Sequence, residues 1–361
     1  MAHAPVYNTE TEVDVLHALR GSHWESMDIE MDEDRIEFFQ TQHRKEVHEL
    51  DEALAYGIDF SALKQVTPRL TGLTTIVMSS GEWREERKTP FKSIYMPFSR
   101  TIHPEGCRQL WALLESLESS SASIKTLKAE SLNWMFFNEH LAIQDAFSPI
   151  SDLRHIRLGI SISLRNSYWD AQGCYAAMDN GVLRNVLQSL KKVEVLDIGF
   201  PVVPKFSGTR GYYCARLDQV MSTHHRWDRL TNLTLRGLKL ERWDLMAILS
   251  LHKDTLRVLR LKGIMLMKSS WLPFLVWIRN TLNLDRLCIK GDLYGYVEDD
   301  TEMFYQWRQT SPGTKKSINA YCTRRSNELP LKPRQFYFPH EGPEFEWDED
   351  LPSDEDSDWD A

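Results

Sequence analysis

Residues 230–240 read LTNLTLRGLKL, and residues 256–266 read LRVLRLKGIML. Both fit one template, L-x-x-L-x-L-x-x-Φ-x-L with Φ apolar, and both lead into an apolar stretch with helical spacing. A unit this short cannot bury its own apolar face, so it becomes stable only when further copies stack against it. That requirement points to an α/β chain built as an irregular leucine-rich repeat solenoid. The expected form is a curved parallel sheet with helices on the convex side.

Degraded copies of the template can be laid along the rest of the chain. Their apolar triplets are Leu73, Ile76 and Met78; Ile124, Leu127 and Ala129; Leu153, Ile156 and Leu158; Val193, Leu196 and Ile198; and Leu284, Leu287 and Ile289. The spacing between copies is uneven, whereas regular units run roughly 20–29 residues, so insertions are expected. Helices are predicted between the strands. Cys107–Glu118 carries Leu110, Leu113, Leu114 and Leu117 on one face, and Val182–Leu190, Trp243–Leu251 and Trp271–Leu282 repeat the pattern. Asn180-Gly181 and Ser269-Ser270 suit helix N-termini. Strands alternating with helices favour a parallel sheet. Residues 161–181 and 201–223, rich in Gly, Ser and Tyr, read as insertions on one rim, where binding loops are often carried.

The chain divides into four segments on this reading. Residues 1–68 are a polar lead and an N-terminal helical cap, with Ile36, Phe39, Val47, Leu50, Leu54 and Phe60 at helical intervals and a break at Gly57. Residues 69–295 are the repeats. Residues 296–340 form a C-terminal cap with a short helix near Lys315 to Arg324. Residues 341–361 are an acidic tail with eleven Asp and Glu and no Lys or Arg. The tail carries −11 of a net charge of −9, which leaves residues 1–340 at +2. Repelling charges and few apolar groups predict that the tail stays disordered on its own.

The five cysteines, Cys107, Cys174, Cys214, Cys288 and Cys322, are widely spaced, odd in number and without a C-x-x-C pair. This speaks against a disulfide framework or a zinc site and for reduced thiols in a cytoplasmic or nuclear setting. No apolar run is long enough for a membrane span, and the N-terminal MAHAPVYNTETEVDV does not read as a secretory signal. No membrane partner is expected.

Catalytic patterns are equally scarce. No G-x-S-x-G, P-loop or G-x-G-x-x-G occurs. His224-His225 with Asp228 has workable spacing for two metal ligands but lacks a third, and a loop beside Trp227 accounts for it as well. Glu85-Glu86 reads as solvated surface. The expectation is a protein that is not an enzyme and has neither cofactor nor metal: a protein–protein interaction scaffold that binds on its concave face or rim loops.

Residues between the leucines of L-x-x-L-x-L point away from them, because side chains alternate along a strand. One column then reads Val77, Lys128, Arg157, Asp197, Thr234, Arg260 and Cys288. The next reads Ser79, Glu130, Gly159, Gly199, Arg236, Lys262 and Lys290. Arg236, Arg260, Lys262, Arg286 and Lys290 therefore line up as a basic stripe. The stripe fits an acidic protein partner; surface cations serving only solubility are the alternative at this stage. Nucleic acid is disfavoured by a body charge of only +2. Ser353 and Ser357, each with an acid three residues on, suit phosphorylation by an acidophilic kinase.

Residues 229–290 add a resemblance. The run RLTNLTLRGLKL, the join LSLHKDTLRVLRL at Leu249 to Leu261 and the helix SSWLPFLVWI at Ser269 to Ile278 resemble the distal repeats of fungal F-box proteins. Such proteins dock a Skp-type adaptor through an N-terminal F-box. The resemblance thus implies, as an alternative function, a substrate receptor of a cullin–RING (SCF-type) ubiquitin ligase. The usual F-box opening is not readable here. The Leu-Pro pairs fall at 272–273, 329–330 and 351–352, and Trp24 and Trp83 lack the flanking pattern.

Overall fold

A computed structural model describes residues 56–78, 105–138, 140–162, 167–203, 212–267, 269–290, 293–297, 300–307, 318–327 and 334–335, with scattered positions between 38 and 52. The acidic segment 341–361 with Ser353 and Ser357, the pair Glu85-Glu86, and Ile36, Phe39, Val47, Leu50 and Leu54 lie outside the described residues.

Strands form where the template places alternating apolar residues. In chain order they are β1 (Thr75–Met78), β2 (Thr126–Asn133), β3 (His155–Ser161), β4 (Val195–Gly199), β5 (Val202–Val203), β6 (Tyr212–Tyr213), β7 (Asn232–Arg236), β8 (Lys239–Glu241), β9 (Val258–Lys262), β10 (Met265–Met267), β11 (Arg286–Lys290), β12 (Leu293–Val297), β13 (Asp300–Trp307) and β14 (Arg334–Gln335). The main sheet has seven strands in the order β1-β2-β3-β4-β7-β9-β11, every pair parallel. Each strand lies beside its predecessor from the template, so the sheet grows in one direction along the chain. The protein is thus α/β with a mostly parallel sheet.

The register aligns the leucines into two buried rows. One runs Ile76, Leu127, Ile156, Leu196, Leu233, Leu259 and Leu287. The other runs Met78, Ala129, Leu158, Ile198, Leu235, Leu261 and Ile289. All but the half-buried Met78 are buried, in one cluster with the inward faces of the helices. Full burial of a Leu or Ile stabilises by roughly 1.5–3 kcal/mol, so these rows dominate the energetics of stacking.

A backbone joint repeats with the rows. The carbonyls of Thr74, Lys125, Arg154, Glu194, Thr231 and Arg257 each accept from two successive N–H groups at the start of the next strand, at 2.7–3.2 Å. At the far end of the strands, Gly237 and Gly263 take left-handed backbone (φ +64 and +58) and turn the chain into β8 and β10. There the N–H groups of Phe200, Gly237 and Gly263 donate to the carbonyls of Arg236, Lys262 and Lys290 at 3.0, 2.9 and 3.0 Å. The corner strands build a second sheet, β14-β13-β12-β10-β8, parallel through β8, β10 and β12 and antiparallel at β13 and β14.

The expected curvature is not seen, as no sheet is curled. A second parallel ladder stacks behind the last three units at the same spacing of about 4.8 Å between strands, so the two sides of these units do not differ in width. The loop assignment of two insertions is also corrected. Most of 161–181 is a helix, Ser167–Asp179, that buries Ala171, Cys174, Ala177 and Met178. Its small residues let Trp134 lie on Gly173, where a Cβ would come within 2.9 Å of the indole. In 201–223 the antiparallel pair β5–β6 and the helical turn Leu217–Val220 bury Tyr213, Cys214, Ala215, Leu217, Val220 and Met221.

Four helices occupy the predicted places: Glu105–Glu118, Val182–Ser189, Arg242–Leu251 and Trp271–Thr281. Ser270 caps the last, its side chain accepting from the Leu272 N–H at 3.3 Å. A further helix, His140–Phe147, stands where the leucine pattern gives no sign of one. Gly57 (φ +64) precedes the helix Ile58–Val66. This helix lies against Glu105–Glu118 through a Lys64–Glu115 ion pair, and just beyond its end the Ser116 hydroxyl donates to Thr67 Oγ1 at 2.9 Å. At the other end of the main sheet, a helical turn over 318–322 buries Ile318, Tyr321 and Cys322. Asn319 Oδ1 accepts there from the Leu287 N–H of the last strand at 2.8 Å. Among the described residues no helix is long and apolar enough to cross a membrane.

Candidate docking face

The residues between the leucines share the other face of the main sheet. The register places Val77, Lys128, Arg157, Asp197, Thr234, Arg260 and Cys288 side by side. Two residues on, Gly159, Gly199, Arg236, Lys262 and Lys290 are also side by side. Arg286 stands two residues before Cys288 and so shares its face. The five cations expected to line up are therefore on adjacent strands of one surface.

They are not equivalent. Asp197, on the adjoining strand β4, flanks the stripe. Arg236 donates to Asp197 Oδ1 from Nε and approaches it with Nη2, each at 3.1 Å. Arg157 approaches Oδ2 from the opposite strand at 3.5 Å. The carboxylate is only 17% exposed. Burial pushes its pKa above the usual carboxylate value, against the pull of Arg236, Arg157 and Arg260. Bare backbone makes this geometry possible: a Cβ on Gly199 would meet the Arg236 guanidinium carbon at 2.8 Å. Arg236 is thus laid down across the neighbouring strand, whereas Lys262 and Arg286 stand exposed. Ion pairing so divides the stripe into an anchored part around Asp197 and an outward part at its distal end.

The histidine pair has a different environment. His224 is exposed. His225 packs edge-on against Trp227, ring centroids 4.7 Å apart. The residue that matters locally is His252, from the HKDTLR join. Its Nε2 accepts from the Trp227 N–H at 3.0 Å, and its Nδ1 lies 2.7 Å from the Ile248 carbonyl. This pairing requires the neutral tautomer protonated on Nδ1. Burial accordingly pushes the pKa of both His252 and His225 down. Among the described residues no group of three or more His, Cys, Asp and Glu is placed to hold a metal. The thiols of Cys107 and Cys322 are pushed up by burial to about 11 and about 12, so neither is a nucleophile at neutral pH.

An exposed aromatic lies elsewhere. Trp243, on the helix Arg242–Leu251, is 63% exposed, with the Arg242 guanidinium 4.6 Å from its ring centroid. Val276 on the following helix is also exposed.

No family model matches the chain, and neither a curated protein nor a solved structure is similar enough to it to count as a match.

Proposed function

We propose that this chain is an irregular leucine-rich repeat solenoid that acts as a non-enzymatic protein–protein interaction scaffold, and that the face opposite its leucines docks an acidic segment of a partner protein. The observation that carries the reading is the set of adjacent-strand cations, Arg236, Arg260, Lys262, Arg286 and Lys290, beside the carboxylate of Asp197. The recurrence of the leucine register on seven strands and of the paired N–H joint at six strand starts supports the repeat architecture. Each exposed cation contributes at most about 1 kcal/mol to an ion pair and is screened by salt. The partner should therefore bind with an affinity that falls steeply as ionic strength rises.

The test uses poly-L-glutamate as a probe. The double variant Lys262→Glu, Arg286→Glu changes only exposed side chains, so its unfolding curve should match that of the parent. Its affinity for the probe at low salt should fall at least tenfold. Equal binding by variant and parent would refute the docking face.

The resemblance of residues 229–290 to fungal F-box repeat proteins supports a second reading, a substrate receptor of an SCF-type ubiquitin ligase. Stoichiometric capture of a Skp-type adaptor would favour it, and clean absence of capture would count against it.

A further inference from the structure

We infer that the outward cations of the docking face are covered by the chain's own residues 341–361, which act as a tethered competitor for the acidic partner. The inference rests on the docking reading above and names its regulation. Charge is the first ground: the segment carries −11, the rest of the chain +2.

Reach is the second ground, and the topology supplies it. The last described strand, β14, pairs Arg334 with Gln306, and Gln306 pairs with Tyr294. Arg334 therefore lies two strand spacings, about 10 Å, from Tyr294. Tyr294 follows Lys290 by four residues, at most about 14 Å of backbone. Lys290 is thus within roughly 25 Å of Arg334, and Lys262 is one strand spacing, about 5 Å, further. An extended chain from Arg334 spans roughly 25 Å by Glu341 and roughly 45 Å by Asp348. The acidic run begins where the tether first reaches the stripe, and most of its carboxylates fall within reach of Lys262 and Arg286.

A short tether of this kind holds its end at an effective concentration of about a millimolar. Exposed ion pairs are individually weak, so the self-contact needs only millimolar to tenth-millimolar strength to compete. An outside acidic segment would then bind about two- to tenfold more weakly than to the uncovered face. Phosphorylation of Ser353 or Ser357 would add charge and strengthen the cover.

The experiment keeps the full chain and replaces the eleven carboxylates of 341–361 by their amides. At low salt the amide variant should bind poly-L-glutamate about two- to tenfold more tightly than the parent, and the difference should vanish at high salt. A zero-length carbodiimide cross-linker, applied to the parent, should join tail carboxylates to Lys262 or Lys290 within one molecule, as judged by mixing isotopically labelled and unlabelled chains. Equal probe binding by parent and amide variant, with no such cross-link, overturns the inference and leaves the docking reading standing. Cross-links between labelled and unlabelled chains overturn it by assigning the contact to a second copy. Failure of both forms to bind the probe, with no cross-link, removes the docking reading and this inference with it.

Discussion

Replacing Gly237 by Ala, beside the matched replacement of Gly263, separates two costs that are usually confounded. Both glycines turn the chain out of a main-sheet strand with nearly the same left-handed backbone, φ +64 and +58. An L-residue there costs about 1–2 kcal/mol. Their surroundings differ. A Cβ on Gly263 would find only the Val202 side chain, at an ordinary 3.7 Å. A Cβ on Gly237 would fall on the Phe200 carbonyl group, overlapping its oxygen and lying 2.8 Å from its carbon. That carbonyl is backbone and cannot swing aside. The adjoining Phe200 N–H is itself tied to the Arg236 carbonyl at 3.0 Å. Gly263→Ala should therefore cost about 1–2 kcal/mol, and Gly237→Ala at least about 2 kcal/mol more, comparable to overpacking a core. Urea unfolding followed by tryptophan fluorescence gives both values. Equal losses for the two variants would refute the placement of the corner against β4.

Other outcomes follow from the same geometry. Leu233 is fully buried between two neighbours of its row, so Leu233→Ala should cost about 2–5 kcal/mol. Val77→Ala, at a 62% exposed site, should stay within about 0.5 kcal/mol; comparable melting shifts would contradict the register. Asp197→Asn removes the carboxylate that pairs with Arg236 and Arg157 and should tighten poly-L-glutamate binding by up to about fivefold at low salt; weaker or unchanged binding would show that the arginines it holds are not part of the contact. Alongside His225, His252 contributes to the acid limb. Its folded pKa lies below the ordinary 6.5, so between the two values the unfolded chain binds more protons, and stability is lost as pH falls below about 6.5. His252→Gln should flatten that slope by up to about 1.4 kcal/mol per pH unit, and an unchanged slope would place the titration elsewhere.

The strand register was legible because a period of two inside L-x-x-L-x-L fixes both which residues are buried and which neighbours they meet across the sheet. That is why Asp197, Thr234 and Arg260 fall in one row in the sequence and in the structure alike. The pairing within the row was less visible. Asp197 takes Arg236 from the next column, and what permits it is the missing side chain at Gly199. The helix Ser167–Asp179 escaped because it packs with Ala171, Cys174 and Met178. Their spacing is helical, but their size does not announce a core. β12 and β13 escaped for another reason: they pair with each other, antiparallel and outside the main sheet, and no leucine template marks them. His252 carried no signal, since its partners are the backbone of Trp227 and Ile248.

Asn319 sits at the open edge of the last main-sheet strand. Units that stack by offering each successor the same bonding edge have no built-in end, and an unblocked final edge would accept the first unit of another molecule. The Asn319 amide fills that vacancy by mimicking a peptide carbonyl at Leu287, while Arg279 clamps the segment behind it by binding the Tyr321 and Ser326 carbonyls. Loss of this contact would open that stretch of the edge to a second molecule, so association rather than simple unfolding would be its signature.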